Sequence, residues 1–189
     1  MNVRIMPLRQ ERYCLFDTAI GPCGIAWTEH GLTRLQLPES DRAATEKRLK
    51  SRSAMGSGPH VPPAPVAQAI AEVRRYMTGE RVDFYATAVD LAGVAAFQRQ
   101  LYEVLRSVGW GQTTTYGELA RRLGLPDARD VGQAMGKNPV PVIIPCHRVL
   151  AAGNRIGGFS APGGTFTKER LLALEGVRLD GGAPRLPGR

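Results

Sequence analysis

The stretch Pro139-Val-Pro-Val-Ile-Ile-Pro-Cys-His-Arg-Val-Leu150 is the most informative part of this 189-residue chain. An apolar run with prolines leads to Cys146, which His147 and Arg148 follow. A reactive cysteine needs nearby positive potential or a base to form a thiolate. Because adjacent side chains of an extended strand point to opposite faces, His147 can reach the sulfur only if the backbone turns or a water bridges them. Taken alone, the triplet is explained better by a buried structural cysteine.

Two short helices are predicted just before this stretch. Thr115 can cap the helix TYGELARRLG, with Glu118 as the capping-box partner. The segment ARDVGQAMG predicts a second helix over residues 128–136, which Asn138 and the following proline stop. Two short helices joined by a tight turn in a basic region have the outline of a helix-turn-helix.

The second helix is built largely from small residues: Ala128, Gly132, Ala134 and Gly136. Its long basic side chains are Arg129 and Lys137. A helix that reads the major groove usually carries long polar side chains, whereas small residues permit close approach to a shallow minor groove. Close packing against another helix explains the same residues, and on this pattern alone it is the better explanation.

The residues before Gly93 differ in character. Turn signals at Gly21-Pro22 and His30-Gly31 divide residues 12–37 into three strands of an antiparallel meander. Further along the chain the patterns predict a helix over 40–50, a loop over 51–65, a helix over 66–77, a strand over 84–91 and an amphipathic helix over 95–108. We therefore predict an α/β domain over residues 1–92, with a small antiparallel sheet, and a mainly α domain over 93–189.

The net charge of +8 is unevenly distributed. Residues 93–189 contain 13 Lys and Arg against 7 Asp and Glu, a balance of +6, which leaves +2 for residues 1–92. A basic half of this kind indicates a polyanionic partner, with DNA the leading candidate. A well-solvated basic surface explains the charge equally well.

Three cysteines without a secretion signal argue against a disulfide framework and for a reducing compartment, so we expect a cytoplasmic protein. Cys23 and His30 could form half of a zinc site, but no CxxC or HxxxH pattern completes it, and we predict no metal. No apolar run approaches the roughly 18 residues of a membrane-spanning helix, so we expect no membrane contact.

The stretch around Cys146 closely resembles the active-site motif of the O6-alkylguanine-DNA alkyltransferases, whose signature is Pro-Cys-His-Arg-Val. The resemblance extends over residues 96–176 and includes TTYGELA, RDVGQAMGKNP and the GGFSAPGG loop before KERLLALEG. The N-terminal half is similar only in its pattern of strands and turns. The resemblance implies a ribonuclease-H-like N-terminal lobe and a winged-helix-like C-terminal domain that contains the helix-turn-helix.

The family resemblance also implies an activity. The protein would transfer alkyl groups irreversibly, once per chain, from O6-alkylguanine and O4-alkylthymine in double-stranded DNA to Cys146. It would act as a monomer without a cofactor. His147 would deprotonate Cys146 through a water, Glu175 would orient His147, and Asn138 would brace the turn before the cysteine.

The remaining roles implied by the resemblance concern DNA. Arg129 would enter the base stack while Tyr116 presses on the target phosphate, so that the damaged nucleotide rotates out of the duplex. Other DNA contacts would come from Ala128, Gly132, Lys137 and Arg148. The flipped base would be held by Tyr116, the backbone of Ser160, the carbonyls of Cys146 and Val149, and walls formed by Met135, Pro141 and Phe159, the last of which replaces a tyrosine common in the family.

Two other functions compete with this one. A helix-turn-helix protein without chemistry would bind lesion DNA and leave the lesion intact. A cysteine hydrolase using Cys146 and His147 would turn over repeatedly on a small substrate and need no DNA.

Overall fold

The computed structural model describes residues 10–51 and 58–179. Its N-terminal part contains a meander of three antiparallel strands in the order β1-β2-β3, as predicted. Every residue of the central strand from Cys23 to Thr28 is buried, because helix α1 covers one face of the sheet and helix α2 packs against the other. The elements are β1 (Arg12–Thr18), β2 (Gly21–Thr28), β3 (Gly31–Gln36), α1 (Arg42–Lys50) and α2 (Ala64–Met77).

The C-terminal part is mainly helical. Its elements are α3 (Ala96–Arg106), β4 (Thr114–Thr115), α4 (Tyr116–Arg122), α5 (Ala128–Met135), β5 (Val149–Leu150) and α6 (Gly164–Leu174). Strands β4 and β5 pair in parallel, and α4 packs against α5. The Thr115 hydroxyl caps α4 by accepting from Glu118 N at 3.1 Å, as predicted. The Glu118 carboxylate, however, pairs with Arg121 and Arg122.

Residues 84–91 do not form the predicted strand. They make one bridge, between Val89 and Leu32, and the rest of the segment is turn and coil. The guanidinium of Arg106 donates to the carbonyls of Phe84, Tyr85 and Thr87 at 2.6 to 3.0 Å. These carbonyls converge on one cation, which a regular strand does not allow because its successive carbonyls point in opposite directions.

The loop predicted over residues 51–65 is partly outside the described residues. Where it is described, it ends two residues early, because Ala64 and Pro65 already belong to the first turn of α2. Proline is tolerated there, since its missing N–H has no partner within the helix. No helix among the described residues is long and apolar enough to span a membrane.

A buried ion pair joins the end of α6 to the segment that carries Cys146. The Arg148 guanidinium donates to both carboxylate oxygens of Glu175, with the shortest distance 2.9 Å from Nε to Oε2. It also donates to the Val108 carbonyl. Arg148 is 6% exposed, and each nitrogen of its guanidinium donates a hydrogen bond to a group inside the protein. The expectation that it contacts DNA is therefore wrong.

Glu175 should make this fold sensitive to acid. Burial alone would raise the pKa of its carboxyl, but hydrogen bonds from His147 and Arg148, together with the Arg148 charge, lower the pKa from 4.5 to about 2. A carboxylate whose pKa is lowered by folding stabilises the fold at every pH above its pKa in the unfolded chain. This contribution is lost as the pH falls from 4.5 towards 2. That contribution amounts to about 3 kcal/mol.

We expect Glu175→Gln to lower the free energy of unfolding at neutral pH by about 3 to 5 kcal/mol, because Arg148 keeps a buried charge without its partner. The variant should also lose much of the decline in stability between pH 4.5 and 2. Urea unfolding at a series of pH values measures both effects. Glu103→Gln, at an exposed position of α3, is the control and should follow the wild type. An unchanged acid dependence in Glu175→Gln contradicts this account.

Candidate active site

Cys146 begins a single 3-10 turn, Cys146–Arg148, directly after Pro145. The Asn138 side-chain amide donates to Cys146 Sγ at 3.1 Å and to the Ile144 carbonyl at 2.8 Å, while its oxygen accepts from Val140 N at 3.0 Å. Asn138 therefore ties the end of the helix pair to the cysteine and to the loop between them.

The loop before the cysteine is under backbone strain. Val142 has a φ of 75°, in the left-handed region that β-branched residues rarely adopt. Such a conformation costs about 1 to 3 kcal/mol and persists only where surrounding contacts enforce it. Here the enforcement comes from burial of residues 140–145, the Asn138 bonds and an Ile144 N to Val140 O bond of 2.8 Å. The sulfur is consequently held in a fixed position.

The Cys146 sulfur is a thiol in the free protein. Cys146 is 6% exposed, and burial raises its pKa to about 11 against the opposing effects of the Asn138 hydrogen bond and the Lys168 charge. At neutral pH a nearby base must therefore take the proton before the sulfur can act as a strong nucleophile.

His147 is the base next to Cys146 in sequence. The sequence analysis required either a backbone turn or a bridging water between the two side chains, and the backbone does turn here, over Cys146–Arg148. The imidazole is fully buried, and its Nε2 lies 2.7 Å from Glu175 Oε1. Burial lowers the pKa of His147 more than Glu175 raises it, so the ring is neutral. Its Nδ1 is buried and has no hydrogen-bond partner among the described residues.

Two buried polar residues at this site were missed by the sequence analysis. The hydroxyl of Tyr76, on α2, donates to Glu175 Oε1 at 2.6 Å and lies 3.0 Å from His147 Nε2. Lys168, on α6, is fully buried and donates to the carbonyls of Val149 at 2.5 Å and Gly158 at 3.2 Å. Burial lowers the pKa of Lys168 to about 8, against the opposing effect of Cys146.

The spacing of α6 contained a signal for Lys168. Lys168 is three residues before Leu171, and Glu175 is three residues after Leu172. All four residues therefore lie on the same, buried face of the helix. A lysine and a glutamate at core positions of an amphipathic pattern indicate buried polar groups with partners. Tyr76 gave no comparable signal, because an aromatic residue on the buried face of α2 is ordinary core.

An open cavity of about 340 Å³ lies beside Cys146. This volume is within the range of small-molecule sites. Four of the predicted pocket residues line it, together with Cys146: Tyr116, Met135, Phe159 and Ser160. Pro141 lines a second cavity that also reaches Cys146, with Asn138 and Phe159. Val149 lines neither cavity, since it is fully buried and its carbonyl accepts from Lys168.

Helix α5 presents the predicted DNA-contacting residues at the surface. The Arg129 side chain is 86% exposed and pairs with Asp127, Nε to Oδ2 at 2.6 Å. Lys137 is exposed, Ala128 is half-buried, and a Cβ at Gly132 would meet nothing within 4 Å. Ala134, in contrast, is buried, and its carbonyl accepts from the Tyr102 hydroxyl at 2.9 Å. The small residues of α5 thus serve packing on one side and leave an open surface on the other.

Cys14 and Cys23 lie in the core of the N-terminal sheet and, like Cys146, are free thiols. Burial raises the pKa of Cys23 to about 12. Within the described ranges, no group of three or more His, Cys, Asp or Glu side chains is arranged to hold a metal ion.

Comparisons with known proteins match both parts of the chain. A family model described as "6-O-methylguanine DNA methyltransferase, DNA binding domain" matches residues 96–177, and one described as "6-O-methylguanine DNA methyltransferase, ribonuclease-like domain" matches residues 12–91. The methylated-DNA–protein-cysteine methyltransferase of Methanothermobacter thermautotrophicus is 34% identical over 84% of this chain and 81% of the relative.

Solved structures of similar proteins agree. A Mycobacterium tuberculosis OGT in complex with DNA is 33% identical, with a TM-score of 0.71 over 87% of this chain and 92% of that one. The O6-methylguanine-DNA methyltransferase of Pyrococcus kodakaraensis strain KOD1 is 27% identical, with a TM-score of 0.66 over 89% and 100% of the two chains. On this identity and coverage, the chain belongs to the methylated-DNA–protein-cysteine methyltransferase family.

Proposed function

We propose that this protein reverses alkylation damage directly, by moving the alkyl group from O6 of guanine, or O4 of thymine, in double-stranded DNA to the sulfur of Cys146. The observation that carries this proposal is the placement of Cys146. It lies in a rigid turn beside an open cavity, with Asn138 on its sulfur and a neutral His147 held by Glu175 next to it in the chain.

The chemistry balances without a cofactor. The sulfur forms a bond to the alkyl carbon as the bond from that carbon to O6 breaks, and the electron pair of the broken bond stays on the guanine. The thiol proton passes to Nδ1 of His147, the ring nitrogen without a protein partner, through a bridging water. The proton then returns from His147 through water to the guanine, which stays joined to its deoxyribose as the DNA dissociates. Because a thioether is more stable than the aryl ether, each chain reacts once.

DNA binding uses the exposed face of α5. Arg129 occupies the space left by the flipped nucleotide, and Tyr116, whose hydroxyl is 3.3 Å from the Gly158 carbonyl, stands between the cavity and the duplex. Gly132 lets the helix approach the minor groove closely, while Ala128 and Lys137 complete the contact. Arg148 has no part in this surface.

The rival functions leave this geometry unexplained. A lesion-binding protein without chemistry has no use for a buried thiol supported by Asn138 and a Tyr76–Glu175–His147 cluster. A cysteine hydrolase has no use for an exposed Arg129 on a helix of small residues.

We also propose two domains, residues 1–92 with a ribonuclease-H-like fold and residues 93–189 with a winged-helix-like fold. The two family models, which meet between residues 91 and 96, support this division. The free thiols support a reducing, cytoplasmic compartment. Action as a monomer is supported because one chain contains both Cys146 and the exposed face of α5 that is proposed to bind the duplex.

Stoichiometry is the first prediction. Incubation with an excess of an oligonucleotide carrying O6-methylguanine should add one methyl group per chain, on the peptide that contains Cys146, as read by mass spectrometry. Cys146→Ala should bind the oligonucleotide and gain nothing. The controls Cys14→Ala and Cys23→Ala, where folded, should react like the wild type. Repair of more than one guanine per chain is incompatible with a suicide mechanism.

Base flipping gives the second prediction. Arg129→Ala should slow repair of duplex DNA by about 10-fold or more, yet leave the reaction with free O6-benzylguanine within about twofold, because only a duplex needs its stack filled. Arg99→Ala, which removes one charge from an exposed position of α3, should change neither rate much. Equal losses on both substrates in Arg129→Ala mean that Arg129 serves the fold or the pocket.

Groove approach gives the third prediction. Gly132→Ala should raise stability by about 1 kcal/mol and cost little binding, since open space surrounds that position. Gly132→Leu should weaken binding to undamaged duplexes regardless of their sequence, while its reaction with O6-benzylguanine persists. Titrations at several salt concentrations measure the binding. Unimpaired duplex binding by Gly132→Leu excludes close approach at this position.

A further inference from the structure

We propose that Tyr76 is a positioning residue for alkyl transfer: its hydroxyl, together with the Glu175 carboxylate, keeps the hydrogen of the neutral His147 ring on Nε2. The inference builds on the proposed function, in which His147 Nδ1 accepts the thiol proton. It assigns to the N-terminal part of the chain a direct influence on the reaction, because Tyr76 belongs to α2 while Cys146, His147 and Glu175 all lie in the C-terminal part.

The phenol is held by three rings and two hydrogen-bonding groups. Tyr76 is fully buried, with the Trp110 ring edge-on at 5.3 Å, the Phe84 ring at 5.7 Å and the His147 ring at 6.2 Å between centroids. Its hydroxyl lies 2.6 Å from Glu175 Oε1 and 3.0 Å from His147 Nε2. The hydroxyl cannot move away without disturbing this aromatic cluster.

The hydrogen positions follow from the partners. Glu175 is ionised, because His147 and Arg148 outweigh the effect of burial and lower its pKa to about 2. An ionised carboxylate only accepts, so the Tyr76 hydroxyl donates its hydrogen to Glu175. Both neighbours of His147 Nε2 are then acceptors, the carboxylate oxygen and the phenol oxygen. Nε2 must therefore carry the hydrogen of the neutral ring, and Nδ1 is left as the basic nitrogen.

Without the hydroxyl, this preference weakens. Oε1 of Glu175 accepts from Arg148 as well as from Tyr76 and His147, and Oε2 accepts from Arg148 and from Gly111 N at 3.1 Å. Loss of the phenol donor leaves the carboxylate freer to follow Arg148, and it removes one of the two acceptors beside Nε2. The tautomer with hydrogen on Nδ1, which cannot accept the thiol proton, then becomes accessible.

The charged and titratable groups around Cys146 and His147 come from every neighbouring element. They are Tyr76 on α2, Tyr102 on α3, Tyr116 on α4, Lys168 on α6, Glu175 at the end of α6, and Cys146 and Arg148 of the 3-10 turn. Only the hydroxyl of Tyr76 contacts both His147 and Glu175 among the described residues.

The test compares Tyr76→Phe with Tyr102→Phe. Each change removes one hydroxyl from a fully buried tyrosine, but the Tyr102 hydroxyl donates to the Ala134 carbonyl and does not touch His147. The rate of reaction with O6-benzylguanine is measured from pH 6 to pH 10, together with thermal unfolding. A ¹⁵N spectrum of the imidazole nitrogens reports the His147 tautomer independently of activity.

At neutral pH we expect Tyr76→Phe to react about 10-fold more slowly than the wild type, an activation cost of about 1.4 kcal/mol. The deficit should shrink as pH rises towards the Cys146 pKa of about 11, because hydroxide then ionises the thiol without His147. Tyr102→Phe should stay within about twofold at every pH. The ¹⁵N spectrum should show hydrogen on Nε2 in the wild type and a mixture in Tyr76→Phe.

Several outcomes would overturn the positioning role. One is a Tyr76→Phe rate equal to that of Tyr102→Phe at all pH values, with the tautomer unchanged. This leaves the proposed function intact and makes Tyr76 a packing residue. A deficit that is constant with pH and tracks a loss of thermal stability also contradicts it. If the wild type gains no alkyl group from O6-benzylguanine or from the O6-methylguanine oligonucleotide, the proposed function fails, whatever the tautomer.

Discussion

The Glu175 carboxylate is the group on which the structure around the reactive sulfur depends. It is buried, and it accepts hydrogen bonds from Tyr76, His147, Arg148 and the backbone of Gly111. Removing a charge from water into a protein interior is costly unless it is paired and its lone pairs are satisfied. Here the donors come from three separate parts of the chain: α2, the backbone at Gly111 and the 3-10 turn. Hydrogen bonds from His147 and Arg148 keep the carboxylate ionised by lowering its pKa to about 2.

The same carboxylate couples stability to reactivity. The Arg148 pair holds the 3-10 turn against the end of α6, and the same carboxylate lies 2.7 Å from Nε2 of His147. Burial raises the pKa of Cys146 to about 11, so its sulfur is a thiol at neutral pH. Reactivity then appears when a bound base brings its alkyl carbon to a sulfur whose position is already fixed.

Local signals in the sequence predicted much of this fold. Turn residues predicted the three-strand meander, and Thr115 predicted the start of α4. Both predictions succeeded because turns and helix caps are determined by residues that are close in sequence. The strand predicted over residues 84–91 does not form, because Arg106, which is distant in sequence, binds three carbonyls of the segment. Arg148 was wrongly placed among the DNA contacts that the family resemblance implied, because it is buried. Its partner Glu175 lies 27 residues away, and only folding brings the two together.

Tyr76 shows the limit of reading a site from a motif. Cys146 and His147 are adjacent, and family resemblance supplied Glu175 and Asn138, all within the C-terminal half. The phenol that touches both His147 and Glu175 is 71 and 99 residues away from them, on a helix whose periodicity marks it only as core. A side chain that packs and also donates one hydrogen bond leaves the same pattern as one that only packs. The two are separated by the partner of the hydroxyl, which the three-dimensional structure alone supplies.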